Sequence, residues 1–193
     1  MLDQKYTKLD DDVIFCEDVF TEEELAKINE LCEAVISEKG FVDFATGDNI
    51  TRKVETSGFP RNADSVFIYK KMANVLKEVN EQHFNFDVDG FVEGGLFFVS
   101  YNQPADSLGW HTDKINYDGK RKDFVKLGAI LQLSDPSEYE GCDIEIMTDG
   151  ILNIKKQKGL IYFIPGYVSH QVTKLISGKR NVVVAWLTGP RYK

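Results

Sequence analysis

Only three histidines occur in the 193 residues, and two of them stand where metal chemistry could be built. The run Trp110-His111-Thr112-Asp113 puts an imidazole and a carboxylate two residues apart. In an extended segment such residues point to the same face, so both donors can converge on one ion. His170 follows 59 residues after His111 and offers a second imidazole just before an apolar run. Two imidazoles and one carboxylate on one face of an ion leave the opposite positions open, a donor set suited to non-haem iron(II). By itself an H-x-D pair is weak evidence, because a lone histidine in a β-protein is more often a satisfied core or surface residue.

A fourth residue adds a different chemistry. Arg180 comes ten residues after His170, beyond Ser177-Gly178, which reads as a turn. The spacing predicts that Arg180 opens a strand antiparallel to the one that His170 begins. A guanidinium there can hold a carboxylate through two parallel N–H···O bonds, each worth about 1.5–3 kcal/mol. A lysine would supply the charge without the fork. Read alone, Arg180 is better explained as a hairpin surface charge.

The elements that must position these groups fall into two regimes. The first third reads as helical. Thr21-Glu22-Glu23-Glu24 has the form of a capping box, and Leu25, Ile28, Leu31, Cys32, Val35 and Ile36 then share one helical face before Gly40. A second helix is expected over about Ala63–Glu81, with Ile68, Met72, Val75, Leu76 and Val79 as its apolar stripe. Between them, Phe41–Pro60 is polar and broken by Gly47, Gly58 and Pro60, as a loop would be.

From Phe84 onward, short β-branched and aromatic runs alternate with turns: Phe91–Tyr101, Phe124–Leu133, Cys142–Thr148, Ile151–Lys155, Leu160–Ile164, His170–Ile176 and Asn181–Thr188. Asp149-Gly150 reads as a tight hairpin turn between two of them. Runs of this length and spacing point to an antiparallel sandwich or jelly roll rather than a parallel sheet. The expectation is an α+β chain with a single domain over 1–193, in which 1–83 is helical support and substrate loop and 84–193 is the jelly-roll core.

Composition narrows the partners. Hydrophobic residues at 42% and charged residues at 28% exclude a disordered chain. A net charge of −8, with acidic runs at Asp10–Asp12 and Glu22–Glu24, disfavours nucleic acid. The basic runs, Lys120-Arg121-Lys122 and Lys155-Lys156 with Lys158, are short enough to be solvated loops or strand ends. No apolar run approaches the roughly 20 residues of a membrane span, and the first residues do not read as a signal peptide. Cys16, Cys32 and Cys142 are odd in number and have no C-x-x-C spacing. Reduced thiols in a cytoplasm are the expectation.

Several spaced motifs occur in one order: WHTD, LSDPSEYEGCDIEI over Leu133–Ile146, KGLIYFIPGYVSHQV over Lys158–Val172, and SGKRNVVVAW over Ser177–Trp186. Together they resemble the prolyl/lysyl-hydroxylase-domain branch of the 2-oxoglutarate/Fe(II) oxygenases, in its small bacterial and bacteriophage form. The likeness covers Phe91–Pro190 and is looser over Thr51–Asn85, where Arg52 and Asn80 fit the family's lead-in. It implies a double-stranded β-helix (jelly roll) braced by N-terminal helices, with metal at the open end. It also implies a dioxygenase that hydroxylates a C–H bond and releases succinate and CO2, with peptidyl proline the first substrate to test. Fe(II), 2-oxoglutarate and O2 would be required, with ascorbate a candidate accessory reductant.

Carried over by position, His111, Asp113 and His170 match the metal ligands and Arg180 the residue for the distal carboxylate of 2-oxoglutarate. Tyr101 matches a tyrosine that bonds to the same co-substrate, and Trp186 an aromatic that lines its pocket. Gln132 stands where relatives often place an aromatic, and its amide can still donate to a carboxylate. Gly141-Cys142 replaces a common Gly-Gly, a swap expected to leave catalysis alone. His83 matches no ligand position and reads as a surface or helix-end residue. The rival readings are a non-catalytic jelly roll that binds metal or a small molecule, and a structural or assembly protein on a relic fold. The second would be expected to have lost a ligand.

Overall fold

The computed structural model describes residues 6–39, 52–53, 55–113 and 124–192. In chain order the elements are β1 (Tyr6–Asp10), β2 (Val13–Cys16), α1 (Glu22–Lys39), β3 (Arg52–Lys53), β4 (Glu55–Gly58), α2 (Val66–Val79), β5 (Gly90–Tyr101) and β6 (Ser107–His111). Then come β7 (Phe124–Gln132), β8 (Tyr139–Gly141), β9 (Ile144–Met147), β10 (Ile151–Asn153), β11 (Ile161–Pro165), β12 (His170–Val172), β13 (Leu175–Gly178) and β14 (Arg180–Gly189).

The helices form where their signals stand. Thr21 Oγ1 accepts from the Glu24 amide at 3.2 Å while Glu24 Oε2 accepts from the Thr21 amide at 2.9 Å, the reciprocal capping box. Glu24 also takes the Lys71 ammonium at 2.6 Å, which ties α1 to α2. Helix α2 buries Ile68, Tyr69, Met72, Val75, Leu76 and Val79, and passes at Asn80 into a π-helical turn over Asn80–Phe84. It is therefore shorter at both ends than the periodicity suggested.

The strands form a major sheet in the order β1-β2-β11-β7-β14-β5-β4, a minor sheet β10-β9-β12-β6-β3, and a ribbon of β13 and β8. This is an α+β jelly roll braced by helices. Two cores hold the layers together. One packs α1 and α2 on the outer face of the major sheet through Ile28, Met72, Phe98, Leu131 and Phe163. The other fills the space between the sheets with Val99, Ile130, Ile144, Ile146, Ile164 and Val184. Each such side chain contributes about 1.5–3 kcal/mol on burial.

Alternation along the strands decides which residues enter the second core. On β7, Leu127, Ala129 and Leu131 face the helices, while Ile130 faces the minor sheet. On β14, Val183 and Ala185 face the helices, while Val182, Val184 and Trp186 face inward. The register pairs Arg180 with Tyr101 and Val182 with both Val99 and Gln132. Tyr101, Gln132, Tyr162, Arg180 and Trp186 thus share the parity of the inner face.

Three features differ from the sequence reading. The stretch before α1 is a β-hairpin whose second strand pairs with β11, so the N-terminal region extends the major sheet. Strand patterning was weak there because one strand is exposed over most of its length. Strands β12 and β14 are not hairpin partners. The run His170–Ile176 breaks after Val172, β12 joins the minor sheet, and β14 joins the major one. Finally, Asp149-Gly150 belongs to a three-residue connection, since Met147 pairs with Ile151 and the Thr148 amide donates to the Gly150 carbonyl. Gly40, most of the Phe41–Pro60 loop, Lys120-Arg121-Lys122 and the loop after Asp113 lie outside the described residues.

Candidate active site

His111 ends β6 and His170 begins β12, and the two are direct cross-strand partners. Their ring centroids are 4.2 Å apart. Asp113 follows two residues after His111, with its Oδ1 3.6 Å from His111 Nε2 and its Oδ2 3.9 Å from His170 Nε2. All three side chains are 9% exposed. Among the described residues this is a group whose ligand atoms lie within 4.8 Å of one another, close enough to hold one metal ion.

The protonation pattern follows from the backbone. His111 Nδ1 lies 2.8 Å from the Gly109 carbonyl, and His170 Nδ1 lies 3.1 Å from the Val168 carbonyl. A carbonyl oxygen only accepts, so each Nδ1 carries the proton and each Nε2 presents a lone pair. Two lone pairs and a carboxylate then face one another in a buried space, which is unfavourable unless a cation lies between them. Burial lowers the His170 imidazole below its usual range, with His111 adding to the effect against the pull of Asp113. For Asp113, burial acts upward, but His170, His111 and Trp186 outweigh it and hold the carboxyl low.

Trp186 has a defined place in this site. Its indole Nε1 donates to Asp113 Oδ2 at 2.8 Å, and its ring lies 5.3 Å from Phe97. Gly128, its partner across β7 and β14, makes room for this contact. A Cβ at Gly128 would lie 3.3 Å from Asp113 Oδ2 and 3.4 Å from Trp186 Cδ1. Trp186 therefore orients the Asp113 carboxylate, a contact that spacing alone did not reveal.

Deeper in the inner face is the arginine. Arg180 is 1% exposed, and among the described residues no carboxylate forms an ion pair with it. Its Nη2 donates to Gln132 Oε1 at 3.1 Å, while Nε and Nη1 are buried and make no hydrogen bond of good geometry, although the Tyr139 and Tyr162 phenols are close enough to act on the guanidinium. Because a guanidinium cannot accept, the Gln132 oxygen must face it, and the amide Nε2 is left buried and unpartnered. The Tyr101 ring centre lies 5.1 Å from the guanidinium carbon.

Two tyrosines that sequence reasoning passed over complete this pocket. Burial pushes the phenols of Tyr139 and Tyr162 upward against the influence of Arg180, so both remain protonated donors. For Tyr162 the pull of Arg180 is the larger influence after burial, and Asp113 adds a smaller one in the opposite direction. Its signal was parity: in KGLIYFIPG it alternates with Ile161 and Phe163, which face the helices. Cys142, buried beside this pocket, has a thiol raised to about 11, chiefly by burial. Its φ of 50° is a left-handed conformation that a glycine would adopt freely.

The remaining candidates lie elsewhere. His83 is exposed in the π-helical turn and meets Tyr6 edge-on. Lys155, Lys156 and Lys158 pair with Glu17, Asp143 and Glu22, so they form no free basic patch. Cys16, Cys32 and Cys142 are buried. No helix among the described residues is long and apolar enough to cross a membrane.

No family model matches the chain. A PKHD-type hydroxylase of Prochlorococcus marinus is 35% identical over 104 residues, which span 53% of this chain and 45% of that protein. One from Crocosphaera subtropica is 25% identical over 186 residues, 91% of this chain and 78% of that protein. The chain resembles the PKHD-type hydroxylases. It spans less than half the length of the first of these relatives. Among solved structures, a Pseudomonas putida prolyl-4-hydroxylase superposes with a TM-score of 0.70 at 14% identity, over 93% of each chain. A prolyl hydroxylase from Trichoplax adhaerens, bound to a peptide fragment of hypoxia inducible factor, gives 0.72 at 11% identity over 92% of this chain and 83% of that one. The prolyl-hydroxylase fold is thus shared across nearly the whole chain.

Proposed function

We propose that this PKHD-like chain is an Fe(II)- and 2-oxoglutarate-dependent dioxygenase that hydroxylates a C–H bond. One observation carries the reading. A converging imidazole–carboxylate–imidazole set shares its inner face with a buried arginine that has no carboxylate partner among the described residues. The donor set fits iron(II), because two neutral nitrogens and one carboxylate oxygen satisfy three ligand positions and leave the others open. The unpartnered Arg180 and Gln132 donors fit a carboxylate.

In this assignment His111, Asp113 and His170 hold the ion, and the backbone carbonyls at Gly109 and Val168 fix both imidazoles with Nε2 toward it. Trp186 fixes the carboxylate. Arg180 receives the distal carboxylate of 2-oxoglutarate, with Gln132 Nε2 and the phenols of Tyr101, Tyr139 and Tyr162 as further donors. The ring of Phe97, with Val99 and Val184, keeps water from the space between. When bound, iron supplies the activation of O2, coupled to decarboxylation of 2-oxoglutarate to succinate and CO2.

The peptide held by the Trichoplax enzyme supports a peptidyl substrate, with proline the first to test. The buried cysteines, odd in number, suit a reducing cytoplasm. The test is succinate release from 2-oxoglutarate with Fe(II), comparing the wild type with His111→Ala. The wild type is expected to turn over and the variant to fall to background. Equal rates in the two would remove the assignment, and a wild type that binds metal without oxidising anything would leave a binding protein.

A further inference from the structure

We propose that helix α1 sets the co-substrate arginine from the far side of the major sheet, through a polar clamp on its two chain neighbours. The inference rests on the assignment of Arg180 to 2-oxoglutarate.

Alternation places Lys179 and Asn181 on the outer face when Arg180 points inward. Both are held by α1. Lys179 forms an ion pair with Glu33. Asn181 Nδ2 donates to Asn29 Oδ1 at 2.9 Å and to Glu33 Oε1 at 3.0 Å. The sheet completes the grip, since Ser100 Oγ donates to Asn181 Oδ1 at 2.8 Å and the Asn181 amide donates to Ser134 Oγ at 2.9 Å. Asn29 and Glu33 are one helical turn apart, so both reach the same strand. Asn181 is 4% exposed and Ser100 fully buried, in a layer that is otherwise apolar.

The strand needs such a hold at this point. Gly178 turns the chain with φ +80°, where an added Cβ would lie 2.0 Å from the Glu138 carbonyl oxygen. The Lys179 amide reaches that carbonyl only at 3.4 Å. Arg180 is the first residue of β14, and pairing with β7 begins only at Val182. On its other side Arg180 is held by its pairing with Tyr101 of β5. Anchoring the residues on either side fixes the direction of the Arg180 Cα–Cβ bond, and with it the approach of the guanidinium to a carboxylate. Asn29, Glu33 and Lys179 also border a surface cleft, so water can satisfy the groups that a substitution releases.

The experiment titrates 2-oxoglutarate into Mn(II)-loaded wild type, Glu33→Ala, Glu33→Gln and Asn29→Ala, with Mn(II) affinity and melting temperature measured in parallel. Glu33→Ala is expected to weaken 2-oxoglutarate about tenfold, the loss of roughly one charge-assisted hydrogen bond, with Mn(II) affinity within about twofold. Glu33→Gln keeps an acceptor for Asn181 and should recover part of that loss. Asn29→Ala gives a milder loss of the same kind and serves if Glu33→Ala does not fold. Unchanged 2-oxoglutarate affinity in both alanine variants overturns the clamp. So does a loss that Mn(II) affinity and melting temperature follow in step, which is a purely structural role. A wild type that does not bind 2-oxoglutarate overturns the reading of Arg180 and the clamp with it.

Discussion

Replacing Trp186 with Phe tests whether the indole orients the metal-site carboxylate. The substitution removes one donor, the Nε1–H that reaches Asp113 Oδ2 at 2.8 Å, and keeps an aromatic ring against Phe97. Asp113 is 9% exposed, so bulk water does not readily replace the lost donor. A hydrogen bond to a charged group is worth about 1.5–3 kcal/mol, or about 10–150-fold in an equilibrium constant. The carboxylate is held by the indole before and after metal binds, so part of that energy cancels. What remains is orientation, and outer partners of metal ligands typically contribute about 10–100-fold in affinity. About tenfold weaker Mn(II) binding is therefore expected by calorimetric titration, and the melting temperature of the metal-free protein should fall by several degrees, because the same bond is lost there. An unpaired carboxylate is also a stronger donor to metal, which acts in the opposite direction. Affinity within twofold of the wild type, or tighter, would show that orientation by Trp186 does not control the site.

Two further predictions follow from the same inner face. Arg180→Met should abolish 2-oxoglutarate binding while leaving the melting temperature equal or higher, because a buried cation with no carboxylate partner among the described residues gives way to an apolar side chain, a change often neutral or worth about 1–4 kcal/mol. A melting temperature lowered by many degrees would make Arg180 a structural cation instead. The folded state holds His170 below its ordinary 6.5, so the unfolded chain binds that proton first as pH falls. Stability of the metal-free protein is then full above 6.5 and is lost progressively below it. Urea unfolding near pH 8 and near pH 5.5 should show this loss in the wild type and a smaller one in His170→Asn, and equal losses would refute it.

How far the sequence carries can be judged residue by residue. The jelly-roll class was legible because short strand-forming runs recur between turns, and Cys142–Ile146 carries the period of two openly. The capping box at Thr21 was legible because it is made within one turn of chain. His111, Asp113, His170 and Arg180 could be singled out because residue type and spacing are local properties. Hairpin β1–β2 was not, since an exposed edge strand has little alternation to read.

By itself, then, the sequence determined which side chains could do chemistry and which of them share a face along one strand. Tertiary structure alone decided that His111 and His170 are paired across β6 and β12. It also sent β14 to the opposite sheet, so that Arg180 meets the site from across the core rather than along a hairpin. The contacts of Trp186 with Asp113, of Tyr139 and Tyr162 with Arg180, and of α1 with Asn181 belong to the same group. Period-two alternation is set by the geometry of each strand, whereas the choice of strand partner is set by the long-range burial of both cores, which no short stretch of chain encodes.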